Sequence, residues 1–216
     1  MTDRELQRHV EDALGWEPSF DAADIGVTVD KGVVTLRGDV ATYTAKAAAE
    51  RVALGVYGVK AVANDLNVRL IGEYQRTDSD IAQAAVNALQ WNTVVPASRV
   101  SVAVGNGWIT LKGHLDWQYQ KDAAARAVRD LTGVRGVNNN IAVQPPVKSA
   151  DVQDKIEAAF KRSAEIDARR ITVTAQNGKV TLIGNVRSWA ERQQAEHAAW
   201  AAPGVTQVED RLLITP

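Results

Sequence analysis

The feature that most limits how this chain can fold is a motif that occurs three times. Gly32-Val33-Val34-Thr35-Leu36-Arg37-Gly38 returns as Gly107-Trp108-Ile109-Thr110-Leu111-Lys112-Gly113, and again as Gly178-Lys179-Val180-Thr181-Leu182-Ile183-Gly184. The offsets are 75 and then 71 residues, and they also carry Gly58-Val59 onto Gly133-Val134 and Gly204-Val205. In every copy, the glycine closing the first motif stands 20 residues before the glycine opening the second. Self-similarity at a near-fixed period marks tandem units. The 216 residues therefore divide into three, over 1–70, 77–145 and 150–216.

Each unit carries the same hydrophobic code. It opens with apolar residues at helical spacing: Leu6, Val10, Ala13, Leu14; Ile81, Ala85, Ala88, Leu89; Val152, Ile156, Ala159, Phe160. That spacing makes one stripe of an amphipathic helix. Acidic residues crowd the first turns (Asp3, Glu5; Asp78, Asp80; Asp151, Asp154), where the helix dipole favours them. Strict alternation follows in Ile25, Val27, Val29, in Val100, Val102, Val104 and in Ile171, Val173, Ala175, which predicts a strand with one buried face. Asp30-Lys31-Gly32, Asn106-Gly107 and Asn177-Gly178 are hairpin signals leading into a second strand.

A second helix buries small residues: Ala49, Val52, Ala53, Val56; Ala124, Ala127, Val128, Leu131; Ala195, Ala198, Ala199, Ala202. It stops before Gly58, Gly133 and Gly204. A last strand carries Val62, Leu66, Val68 and their equivalents. The fold class is α+β: three tandem αββαβ units. The hairpin is antiparallel, and the βαβ step is a right-handed crossover making a parallel pair. Each unit is thus a three-stranded mixed sheet with two helices on one face. The linkers are short, Gly72 to Thr77 and Pro145 to Ser149, the second stiffened by two prolines.

Composition narrows the chemistry. The absence of Cys excludes a disulfide framework, a thiolate nucleophile and Cys-ligated metal. With 25 basic and 26 acidic side chains, no global field draws the chain to nucleic acid, and no nucleic-acid partner is expected. No segment approaches the roughly 20 consecutive apolar residues of a membrane-spanning helix. No signal peptide is visible, so the expected location is cytoplasmic, or periplasmic should the true start lie upstream.

The pattern of acidic helix, I-x-V-x-V, G-x-V-x-L-x-G-x-V, Ala-rich helix and G-V-x-x-V-x-N/D-x-L resembles the BON domain, named for bacterial OsmY and nodulation proteins. The resemblance rests on Gly32 through Val40, Gly107 through Leu115, Gly178 through Val186, and Gly58-Val59 with Asn64-Asp65-Leu66 and its equivalents. It implies the αββαβ fold in a bacterial, non-enzymatic protein. Members of the family include osmotic-stress proteins, phospholipid-attached proteins, chaperone-like factors and potassium sensors. OsmY-like members carry two units where this chain has three.

A search for reactive groups finds no repeated chemistry. His9, His114 and His197 fall at non-equivalent positions. No nucleophile elbow, Walker loop, zincin or dinucleotide motif occurs. No catalytic residue, metal or cofactor is expected. Gly133-Val134-Arg135-Gly136 matches the GXXG of KH modules, but it lies between a helix and a strand and reads as a helix stop. Gly38, Gly113, Gly184, Gly58, Gly133 and Gly204 are read as backbone framework.

The aromatics are the better candidates. Tyr43, Trp117 with Tyr119, and Trp189 cluster where the second helix begins, next to Lys46, Lys121, Arg187 and Arg192. Rings at a helix end can sit at a lipid headgroup layer, with the cations favouring anionic lipid, or they can pack against the neighbouring repeat. Trp16 and Trp91 are expected to plug the helix–sheet edge, and Trp108 presents its outward side from the hairpin. Residues 1–70 carry 8 basic and 11 acidic side chains, against 7 and 6 in 71–145 and 10 and 9 in 146–216. An anionic surface should therefore prefer the last two units. The sequence thus points to a stress-associated multivalent adaptor that contacts a phospholipid surface or a protein. The alternative is a chaperone-like scaffold taking extended clients at its sheet edges, and ion sensing follows from the resemblance alone.

Overall fold

The computed structural model describes residues 1–70, 72, 75–146, 151–163 and 166–215. Linker residues 73, 74 and 147–149, and the expected start of the third unit at 150, lie outside them. Repeat one runs α1 (Asp3–Trp16), β1 (Ile25–Asp30), β2 (Val33–Val40), α2 (Tyr43–Gly55) and β3 (Ala61–Val68). Repeat two runs α3 (Asp78–Trp91), β4 (Val100–Gly105), β5 (Trp108–Leu115), α4 (Gln118–Arg129) and β6 (Gly136–Val143). Repeat three runs α5 (Val152–Arg162), β7 (Ile171–Gln176), β8 (Lys179–Val186), α6 (Trp189–Trp200) and β9 (Gln207–Ile214). Backbone packing groups the chain into two compact units, Met1–Gly113 with Asp122–Ile141, and His114–Lys121 with Ala142–Pro216.

The helices begin where side chains can satisfy their free N–H groups. Thr2 and Thr77 form capping boxes with Glu5 and Asp80. Their stripes face inward as the spacing predicts: Leu6, Val10 and Leu14 are buried, as are Ile81, Ala85, Leu89 and Val152, Ile156, Phe160. The sheets have the orders β1-β2-β3, β4-β5-β6 and β7-β8-β9. β1 pairs antiparallel with β2 and β2 pairs parallel with β3, with Val33 opposite Ala61 and Val40 opposite Val68. The third repeat repeats this register, Lys179 opposite Gln207 and Val186 opposite Ile214. The mixed sheets and paired helices are those the periodicities predict. Val34, Leu36, Val180 and Leu182 on the middle strands are fully buried, as are Ala49, Ala53, Ala195 and Ala199 on the second helices. The alanines let those helices lie close on the sheet, so repeats one and three each bury their apolar surface in a small core.

The hairpins are two-residue turns. Lys31, Asn106 and Asn177 have φ near +52°, followed by glycines near +80°, the type I′ geometry that suits the twist of the strands. The turns are also held from outside. Asp3 Oδ2 and Oδ1 accept from the Lys31 and Gly32 N–H groups at 2.8 and 3.1 Å. Asp78 does the same for Asn106 and Gly107, both at 2.8 Å. The first-turn acid therefore ties its helix to a turn 28 residues away, beyond any effect on the helix dipole. By the repeat offset, Ser149 stands at this position in repeat three, a residue outside those described. Asp78→Ala leaves two turn donors without their carboxylate and is expected to lower the unfolding midpoint of its repeat by several degrees. Asp78→Asn, which keeps one acceptor, should lose less. Thermal unfolding followed by circular dichroism checks both, and equal midpoints in all three proteins would contradict the tie.

The closing framework glycines have a steric reason. Gly38, Gly113 and Gly184 lie at φ +134°, +138° and +145°. A Cβ at each would fall inside the carbonyl oxygen of Asp24, Arg99 or Arg170. The second glycine of the GXXG stretch has another role. A Cβ on Gly136 would run into the ring of Trp108, so Gly136 makes room for that ring. The stretch is a helix stop followed by an aromatic seat.

Candidate functional site

The residues singled out at the start of the second helices are held in three different ways. In repeat one, Tyr43 is the first residue of α2 and is half-buried; the preceding Thr42 caps the helix by accepting from the Ala45 N–H at 3.1 Å. In repeat two, Trp117 is half-buried and stacks on the exposed Tyr119, ring centres 6.4 Å apart and planes inclined by 27°. The Gln120 side-chain oxygen accepts from the Asp116 and Trp117 N–H groups, each at 3.2 Å, and fixes the chain as it enters α4. Lys121 is half-buried there.

In repeat three, Trp189 packs against the core of its own repeat. The Arg192 guanidinium lies 4.8 Å from the ring centre, and its Nε donates to Asp210 Oδ2 at 2.6 Å. Arg187 pairs with Glu191 at 3.4 Å. Both arginines are thus engaged within the repeat. The same register explains Lys46, whose ammonium donates to the Leu66 carbonyl at 2.7 Å. Lys46 and Arg192 are repeat equivalents, as are Asn64 and Asp210 on the last strand. Asn64 donates to the Lys46 carbonyl and to Glu50, at 3.0 and 2.9 Å. These groups latch the second helix to the last strand.

Glu191 is a residue the alanine stripe did not point to. It is only 4% exposed and accepts from the Asp167 N–H at 2.9 Å and the Arg187 N–H at 2.7 Å. The Ser188-x-x-Glu191 spacing, with Ser188 accepting from the Glu191 N–H, is the sequence signal that finds it. Burial pushes its carboxyl up. The N–H groups of Arg187 and Asp167 and the Arg187 guanidinium outweigh this and hold it below the usual carboxylate range. A carboxylate with a lowered folded value contributes its stability above the unfolded value and loses it as pH falls through the folded value. Glu191→Gln should therefore flatten the acid side of the stability profile of the third repeat, and Glu191→Ala should cost about 2–3 kcal/mol by orphaning two N–H donors. Urea unfolding between neutral and acid pH measures both. An unchanged acid slope in the Gln variant would contradict this account.

The most exposed rings lie elsewhere. Trp16 and Trp91, expected to plug the helix–sheet edge, are 90% and 87% exposed. The reason is helical geometry. Each stands two residues after a core leucine, Leu14 or Leu89, which turns it about 200° around the helix axis and away from the sheet. Both close the first helix of their repeat, at equivalent positions; the third repeat has Arg162 there, also exposed and preceded by the exposed Lys161. Trp108 is 46% exposed over Gly136, and Trp200 packs against the core of repeat three. His9, His114 and His197 are all exposed, on α1, β5 and α6. Among the described residues no group of three or more metal-ligating side chains converges, and no helix is long and apolar enough to cross a membrane.

Comparison with known proteins matches this architecture. The family model of the BON domain matches residues 2–69, 77–145 and 148–216. Osmotically-inducible protein Y of Escherichia coli is 31% identical over 146 residues, covering 65% of this chain and 72% of that protein. A 21 kDa hemolysin of Actinobacillus pleuropneumoniae is 36% identical over 141 residues, covering 62% of this chain and 71% of that one. The outer membrane lipoprotein DolP of Haemophilus influenzae is 25% identical over 142 residues, covering 62% and 72%. With αββαβ repeats in register and a family match over nearly its whole length, this chain belongs to the BON domain family, of which it carries three copies.

Proposed function

We propose that this protein is a non-catalytic, stress-associated adaptor that binds phospholipid surfaces peripherally through its repeats. The observation that carries the reading is the pair Trp16 and Trp91, almost fully exposed at equivalent helix ends. A solvated indole at a helix end is costly in water and at home in the headgroup layer, where its ring meets hydrocarbon and its N–H meets water. Tyr119, stacked on Trp117, adds another exposed ring in repeat two. The similarity to the osmotically inducible protein of E. coli supports the stress association, and that to the Haemophilus outer membrane lipoprotein supports a membrane setting.

Charge ranks the repeats. Trp16 stands beside Glu17 and near Glu11 and Asp12, in the repeat with three more acids than bases. Trp91 is flanked by Gln90, Asn92 and Thr93, and Arg162 brings a cation to the same place in repeat three. Repeats two and three therefore lead on an anionic surface, and tethering multiplies contacts that are individually weak. Co-sedimentation with vesicles of neutral and of anionic phospholipid, at low and moderate salt, tests this. The expected result is retention on anionic vesicles that weakens with salt. No retention on either vesicle at low salt would overturn the reading.

A further inference from the structure

The sheet of repeat two turns one face to its helices and leaves the other open. On β5, Ile109, Leu111 and Leu115 are fully buried, so the alternating Trp108, Thr110 and Lys112 stand on the open side. The Arg135 N–H donates to the Gly107 carbonyl at 2.9 Å, and the Gln144 N–H to the Leu115 carbonyl at 2.8 Å. These bonds are the equivalents of Lys60 to Gly32 and Arg69 to Val40 in repeat one, so β6 lies against β5 in the same parallel register. Trp108 therefore stands beside Gly136, Thr110 beside Asn138, and Lys112 beside Asn140.

The indole lies flat on this face. A Cβ on Gly136 would meet Cε3, Cζ3 and Cη2 of the six-membered ring, so one side of the ring rests on the glycine. Gly105, its partner across the hairpin, puts no side chain on the other flank. Trp16 and Trp91 project from helix ends, whereas Trp108 is half-exposed and presents one ring face level with the sheet.

Charge sets this face apart. Repeat one pairs Arg37 with Asp65 at 3.7 Å, and repeat three pairs Lys179 with Glu209 at 2.7 Å. Repeat two has Lys112 and Asn140 at the first pair of positions, and Trp108 and Asn138 at the second. Its strands β4, β5 and β6 hold no Asp or Glu at all. Lys112 is exposed and has no ion pair among the described residues. Asn138 and Asn140 are exposed beside it, their amides turned to solvent.

We propose that this face binds an acidic polysaccharide. One pyranose ring stacks on Trp108, sugar hydroxyls meet Thr110, Asn138 and Asn140, and a uronate carboxylate meets Lys112. The C–H groups on the flat side of a pyranose carry partial positive charge, which the negative face of an indole attracts. Amides and hydroxyls both donate and accept, as sugar hydroxyls do. The cation has lost the acid that neutralises its equivalent in repeat one, so charge complementarity selects an acidic sugar. Trp108 to Lys112 spans roughly 13 Å along the strand, the reach of a short oligosaccharide. A phospholipid headgroup would satisfy the lysine but leave the flat ring without a planar partner. The inference is independent of the lipid contact, which uses the ends of α1 and α3.

The test is calorimetric titration of the full chain with a galacturonic acid tetramer, with a galactose tetramer as the neutral control. The acidic tetramer should bind at least tenfold more tightly. In NMR spectra of the wild type the Trp108 indole N–H signal should shift most. Trp108→Ala should weaken binding of the acidic tetramer at least tenfold, and its thermal unfolding shows whether the sheet is intact. Lys112→Gln changes only an exposed side chain, and should bring the acidic tetramer down to the affinity of the neutral one. No heat up to millimolar acidic tetramer, equal affinities in the wild type, or shifts confined to other indoles would overturn the proposal. So would a Lys112→Gln variant that loses retention on anionic phospholipid vesicles but keeps the preference for the acidic tetramer, because the cation then serves lipid.

Discussion

Gly38→Ala is expected to unfold the first repeat. The residue sits at φ +134°, where a side chain is strained, and its Cβ would overlap the Asp24 carbonyl oxygen. That oxygen belongs to the backbone entering β1 and cannot swing aside as a flexible side chain would. Strain of this kind costs about 1–3 kcal/mol, and the displaced backbone adds to it. A domain of this size rarely holds more than about 3–5 kcal/mol in its core, so the loss approaches the whole stability of the repeat. Gly15→Ala is the contrasting case. Gly15 lies in α1 with open space where its Cβ would go, and alanine there should stabilise by about 0.5–1 kcal/mol. Calorimetric unfolding of the two variants should move in opposite directions. A Gly38→Ala protein that melts with the wild type would mean that the strand entrance can yield.

Replacing both exposed indoles is the second large effect. Trp16→Ala with Trp91→Ala should leave the melting temperature nearly unchanged, because neither ring is packed in the core. The same variant should lose vesicle binding. Burying one large apolar side chain is worth about 1.5–3 kcal/mol, so each indole accounts for roughly a ten- to hundredfold change in partitioning. On anionic vesicles Trp91→Ala alone should weaken retention more than Trp16→Ala, since Glu11 and Asp12 already repel that surface from repeat one, while Glu17 is paired with Arg51 at 3.7 Å. Equal effects on anionic vesicles would show that local charge does not rank the repeats. Retention of the double variant at wild-type level would remove the indoles from the contact.

Much of this architecture is legible in the amino-acid sequence because it is written in short-range code. The stripes through Leu6, Ile81 and Val152 and the alternation through Val27 and Val173 depend only on helix and strand periods, and the structure buries what they predict. Ties that reach across the chain are harder to read. The acids Asp3 and Asp78 look like ordinary first-turn residues, and their bonds to turns 28 and 29 residues away follow only from tertiary placement. Lys46 and Arg192 read as free cations beside aromatic rings, yet the parallel last strand gives them a carbonyl and a carboxylate to hold.

Two features were readable by finer rules. The Ser188-x-x-Glu191 spacing is a capping signature, and Glu191 indeed bridges two N–H groups. The outward turn of Trp16 and Trp91 follows from counting two residues past Leu14 and Leu89, a step that apolar composition alone conceals. Gly136 shows the reverse hazard. Its place in a GXXG stretch suggests a nucleic-acid loop, while the structure gives it to the Trp108 ring.

The proposed lipid contact sets the indoles at the ends of α1 and α3 against the headgroup layer. The most direct measurement is the nitrogen–proton NMR spectrum of the six tryptophan side chains in the presence of anionic nanodiscs carrying a paramagnetic headgroup lipid. Peaks are assigned by their loss in Trp16→Ala and Trp91→Ala. These two signals are expected to broaden first, with Trp91 ahead of Trp16. Broadening confined to the other four indoles, or equal in all six, would contradict it.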